Sequence, residues 1–253
     1  MTGATAGLGR YLLEHFPNAI GFGREDRVED LQGKEFDVIV HCAFRRCQDL
    51  KNSDLPQVIE DNFSLTEKLL KLPHQKFVYL SSNRIYPREV DVNFQEDLDI
   101  SVEHVENFSG VLKLMNEELV KSRSKNYCIL RCTSLFGNGM KPNAMTRILF
   151  ETTPTVSLTA DSRLNCILYN DVRVTLNQLI EANQQGIFNL AASDSILLSE
   201  FATSLKKKVS FGNYHYDPGK IDTAKLTHLI PELKKTSWQN IDLFCNSQNK
   251  KTA

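Results

Sequence analysis

The chain has 253 residues, 41% of them apolar, and a formal net charge of −1. That length supports one large α/β domain, or a main domain with a small appendage. The near-neutral balance excludes the global positive field that attracts nucleic acid or an anionic membrane surface, and the short clusters Lys206–Lys208 and Lys250–Lys251 read as solvated surface. No apolar run is long enough for a bilayer span and no leader pattern opens the chain, so a cytoplasmic location is expected.

The first ten residues, MTGATAGLGR, crowd Gly3, Gly7 and Gly9 directly ahead of a stretch with helical spacing, LGRYLLEHF. Bare backbone at a helix start can approach a phosphate, and the helix dipole favours the negative charge. Apolar runs at 19–23, 37–43, 76–82, 127–133 and 166–169 read as strands, and they are nearly continuous, as a sheet covered on both faces requires. Helical patterns separate them: the first after the glycines, a second across 55–70, and a third in VLKLMNEELVKS. The pattern predicts an α/β fold of Rossmann type, a doubly wound parallel sheet that takes its ligand at the carboxyl ends of its strands. Six cysteines show no metal-binding spacing; Cys128 and Cys132, four apart in a strand, share one buried face, and no metal site is expected. From Gly137 to Asn165 the chain reads as loop, and from Ser193 onward it is more polar and less regular, with short helices at 197–207 and 222–230. The expected division is a dinucleotide-binding domain over 1–136, rejoined by 166–192, and a small substrate-binding lobe from 137–165 and 193–253.

TGATAGLG resembles the cofactor loop of the extended short-chain dehydrogenase/reductase (NAD-dependent epimerase/dehydratase) family, and further motifs match it in order over nearly the whole chain. The short interval before VEDL is most similar to dTDP-4-dehydrorhamnose reductases and their relatives. The resemblance implies NAD(P) held by Gly3, Thr5, Gly7, Leu8 and Gly9, with Asp30 and Leu31 at the adenine and Cys42 and Ala43 beside the cofactor. It makes Asn62 a structural asparagine, puts the catalytic hydroxyl at Ser82, four before Tyr86, lines the nicotinamide with ILRCTSLFGNG, and starts a helix near Asp171 in ILYNDV. Arg24, directly after the second strand, favours the 2′-phosphate of NADP. Asn83 and Arg84 replace the acid pair of sugar dehydratases, so dehydration is not expected; with Arg163 they are the candidate contacts for a nucleotide-activated sugar, and Arg45, Arg46 and Arg163 for its diphosphate. The family has a central strand before its glycine loop, of which only Met1 remains, so the natural start is expected upstream. It also suggests a homodimer through the helix of Lys113.

In the family, a tyrosine four residues before a helical lysine exchanges a proton with the substrate, while the lysine holds the nicotinamide ribose and lowers the tyrosine's pKa. Here Lys113 is in place, but the tyrosine's position holds Ser109 in NFSGVLKLMNEE. Tyr216 and Lys220 repeat the spacing, but Pro218 and Gly219 break the helix it needs. Tyr86 is the other candidate substitute. Two readings follow: an epimerase or reductase working by hydride transfer at a keto-sugar, with Ser82, Lys113 and Ser109 as its catalytic set, or a cofactor-binding sensor or complex subunit without catalysis.

Overall fold

The computed structural model describes residues 1–47, 50–87 and 92–252, with side chains as far as 248, so the side chains of Lys250 and Lys251 lie outside it. Four parallel strands form the central sheet: β1 (Phe36–His41), β2 (His74–Ser82), β3 (Tyr127–Cys132) and β4 (Gly186–Leu190), side by side in that order. Alternate residues face opposite layers. Val40, Val78, Leu130 and Phe188 cluster with Leu12 of the first helix, whereas Ile39, Phe77, Tyr79 and Ile129 pack with Leu69 and Val120. Cys128 and Cys132 both belong to the first cluster, on the shared face their spacing predicts.

The helical stretch over 55–70 widens in its middle, with α-helix at Leu55–Ile59, a π turn at Glu60–Ser64 and α-helix again at Leu65–Leu70. Such turns re-aim one side chain. Here it is Asn62, whose Oδ1 accepts from the Arg45 amide (2.5 Å) and whose Nδ2 donates to the Arg45 carbonyl (2.9 Å). The segment after β1 is thereby fixed.

Other expectations change. The run 19–23 supplies a single bridge, from Phe22 to Thr2. Thr2 donates its amide to the Val40 carbonyl (2.9 Å) and Phe22 donates to Met1 (2.8 Å), so the first two residues stand between Phe22 and β1 and offer too short a partner for a longer ladder. The run 166–169 does not enter the central sheet: Cys166–Leu168 pairs with Ser134–Phe136, and Tyr169 already opens the helix Tyr169–Glu181. Asp171 sets that boundary, because its carboxylate accepts from the Leu168 amide (2.9 Å). The stretch 137–165 holds a helix, Ala144–Phe150, capped by Asn143, and a strand, Thr155–Leu158, paired with Ser210–Tyr214. A further helix, Ser237–Thr252, ends the chain. Phe136, Met145, Ile148, Phe201, Ile241 and Phe244 join in a second apolar cluster. No described helix is long and apolar enough to cross a membrane.

Candidate functional site

The glycine segment turns beside the end of β1. Gly3 has φ +70° and Gly7 φ +56°, in the left-handed region that glycine occupies without strain. A Cβ on Gly9 would stand 2.2 Å from the Gly3 carbonyl, so the first helix, Gly7–His15, packs on the turn at a distance no other residue permits. Thr2 anchors the turn: its hydroxyl accepts from the amides of Cys42 (3.1 Å) and Ala43 (3.0 Å) and lies 2.7 Å from His41 Nδ1. Burial pushes His41 down to about 3, so this anchor is neutral.

A cleft of about 790 Å³ opens in front of the turn. Gly3, Thr5, Gly7, Leu8, Gly9, Arg24, Cys42, Ala43, Ser82, Ser109 and Lys113 all line it, as do Ser134, Leu135 and Gly139. Among the described residues, eight cationic ones line it against four acidic ones, in a chain of net charge −1. The cleft is therefore a local positive field suited to a polyanion.

Ser82 closes β2. Its oxygen accepts from the Arg84 amide (3.2 Å), capping the turn Asn83–Ile85 and leaving its own proton to donate. The helix Phe108–Arg123 begins at Asn107, whose Oδ1 accepts from the Gly110 amide (2.8 Å). A Cβ on Gly110 would lie 2.5 Å from the Arg84 carbonyl, so the helix start comes close to the end of β2, with Ser109 in the cleft wall. One turn later stands Lys113, 7% exposed. Its Nζ donates to the Leu80 carbonyl (2.5 Å) and sits 4.1 Å from the Phe44 ring centre and 4.7 Å from that of Tyr79. Burial lowers its pKa to about 8, with Cys132, Cys42 and Glu117 opposing the shift. Burial pushes the Cys42 and Cys132 thiols up to about 12, so both are protonated at neutral pH.

The model of the NAD dependent epimerase/dehydratase family matches residues 19–176. The chain belongs to that family. No curated protein matches the chain. Among solved structures, a dTDP-4-dehydrorhamnose reductase from Clostridium acetobutylicum is similar with TM-score 0.80 and 16% identity over 98% of each chain. A Bacillus anthracis dTDP-4-dehydrorhamnose reductase in complex with NADP gives 0.78 and 18% over 97% of each. A Bacillus cereus UDP-glucuronic acid 4-epimerase in complex with UDP-glucuronic acid and NAD gives 0.73 and 17% over 96% of each. At these identities the likeness establishes the fold.

Within the family frame, several residues stand apart from the cleft. Val28 and Glu29 of the turn Val28–Leu31 line it, while Asp30 and Leu31 do not; Leu31 packs into the apolar cluster with Ile39. Asn83 is buried with its amide donating to the Tyr216 hydroxyl (3.0 Å), and Arg163 lies 3.9 Å from Asp217. Arg84 does line the cleft and also lies over the Tyr216 ring at 5.2 Å. Arg45 and Arg46 line it too, Arg45 paired with Asp61 (2.9 Å). Tyr216 and Lys220 share no helix, since 215–219 is irregular, and neither borders the cleft. Tyr86 is turned into the core, donating to Asn189 (2.6 Å) and accepting from Arg131 (2.9 Å).

Arg131 of β3 belongs to a buried pair that no motif announced. Its guanidinium meets Glu117 of the Lys113 helix, Nη2 to Oε2 at 2.9 Å and Nε to Oε2 at 3.2 Å, with both side chains almost wholly enclosed. The available signal was an arginine inside the apolar run YCILRCT and a glutamate one helical turn after Lys113.

Proposed function

We propose that the chain binds NAD(P) in this cleft and acts on a nucleotide-activated keto-sugar as an epimerase or reductase. The meeting of the glycine turn, Ser82, Ser109 and Lys113 in one positively lined cleft carries the reading. The chain's residues fit the cofactor: Gly3 lets the turn close on Ala43 and Gly9 lets the first helix close on Gly3, both where a Cβ would collide with backbone, and Thr2 anchors the turn, so the helix start fronts the cleft. The turn's amides would hold the pyrophosphate and Lys113 the nicotinamide ribose. Arg24 and Arg27 line the end near Gly23, where positive charge favours NADP, while Asp26 accepts from the Gly23 amide (2.6 Å). Bound there, the cofactor supplies or takes up a hydride.

Ser82 donates to the substrate's carbonyl oxygen. Lys113 stays largely protonated at neutral pH, and with Leu80 as one acceptor its remaining N–H bonds are left for a ligand. Ser109 passes the proton through a water, a weaker route than a phenol because an alcohol is far less acidic. Arg46 and Arg84 supply charge for the sugar's diphosphate. Phe108 and Met115, exposed by 40% and 43% on the same helix, support a homodimer through it, which light scattering would register as a doubled mass.

Ser109 also favours a second reading, a cofactor-binding sensor or subunit without turnover. Assays with NADH or NADPH and a panel of nucleotide keto-sugars separate the two. The enzyme reading expects turnover in the native protein and a rise of about 10²- to 10⁴-fold in Ser109→Tyr. Turnover only after the substitution establishes the second reading; failure of the native protein to bind either cofactor ends both.

A further inference from the structure

We infer that Tyr169 is a ligand of the bound cofactor, its hydroxyl donating to a pyrophosphate oxygen at the start of the first helix. This rests on the cofactor-binding reading and extends it to a residue that the glycine motif does not contain. Tyr169 lines the cleft yet is 5% exposed. Its ring is clamped: a Cβ on Gly137 would stand 2.0 Å from Cδ2, so only glycine there admits the ring, and Tyr11 lies 5.7 Å away, centre to centre. The clamp aims the hydroxyl at the glycine turn, 3.3 Å from where a Cβ on Gly7 would be.

Two facts make this hydroxyl a donor in waiting. Burial pushes the phenol up to about 12, against the opposing pull of the Leu8 amide on its oxygen, so it keeps its proton at neutral pH. Among the described residues no acceptor meets the phenolic proton. That proton opens on the cleft, where an anion at this helix start would accept it. Pyrophosphate is the chemistry that fits: negative, rich in acceptor oxygens, and already drawn to the same turn. Adenosine, which lacks it, serves as the control.

Tyr169→Phe keeps the ring in its clamp and removes only the donor. Calorimetric titration with ADP, adenosine and NADPH should show ADP and NADPH weakened about tenfold in the variant, in line with loss of one hydrogen bond to a charged group, and adenosine unchanged. A second readout needs no substitution: in protein carrying ¹³C at the tyrosine ζ carbon, the Tyr169 resonance should move with ADP and stay still with adenosine. Unchanged or tighter ADP binding in a folded Tyr169→Phe, or a resonance indifferent to ADP, overturns the inference alone. If the native protein binds neither ADP, NADH nor NADPH, the cofactor reading falls and this inference with it.

Discussion

Two buried cations sit on adjoining elements and are treated in opposite ways. Arg131 in β3 is bound by the Glu117 carboxylate; burial works most strongly against its charge, but Glu117 and Tyr86 together outweigh it and raise its pKa. Lys113, one helical turn before Glu117, has the Leu80 carbonyl instead, and burial lowers it to about 8. The helix thus spends its carboxylate on the core and leaves its ammonium at the cleft. A paired charge ties elements together; a charge buried without a carboxylate of its own is pushed towards its neutral form.

Breaking the tie should have the largest effect. Glu117→Gln leaves a buried guanidinium without its counter-charge, and urea denaturation should show a loss of about 3–5 kcal/mol, most of it recovered in the double variant Glu117→Leu with Arg131→Met. A loss under about 1 kcal/mol would mean the pair does not tie the helix to β3. The lysine should behave differently. Its folded pKa lies below the unfolded value near 10.5, so both states are protonated below pH 8 and the unfolded state alone keeps the proton between about 8 and 10.5. Stability relative to Lys113→Met should therefore climb with pH across that window, by up to about 3 kcal/mol, and a flat difference would erase the contrast with Arg131.

Smaller effects sharpen the cleft's own description. Arg24→Ala should weaken NADPH about tenfold, near 1.4 kcal/mol, and leave NADH nearly unchanged in parallel titrations; equal losses would remove the NADP preference. Ser82→Ala removes the cap on the Arg84 amide and should lower stability by about 1 kcal/mol in the same denaturation assay, a modest change against the loss of turnover the enzyme reading expects.

Much of the sheet was legible because β1, β2 and β3 are long apolar runs whose burial on both faces leaves no other period to read. The run 19–23 misled because a strand is made by its neighbour, and among the described residues Phe22 forms a single bridge, to Thr2. The run 166–169 was cut short by the Asp171 cap, a contact between side chain and backbone that apolar patterning does not encode. In the cleft, Ser82, Ser109 and Lys113 were found through motif order. Tyr169 was passed over because its place depends on Gly137, which is 32 positions earlier in the numbering and meets it only in the fold. The Glu117–Arg131 pair escaped for the same reason, joining a helix to a strand across 14 residues.

The proposed function depends above all on the glycine turn and the Lys113 ammonium together holding a nicotinamide dinucleotide. Titration of native protein and Lys113→Met with NADPH and NADH, followed by nicotinamide fluorescence, tests it most directly. The native protein should bind saturably, with about 2.7 kcal/mol of added stability at a hundred times the dissociation constant, and a folded Lys113→Met should bind at least tenfold more weakly. No binding by the native protein, or equal binding by both, would contradict it.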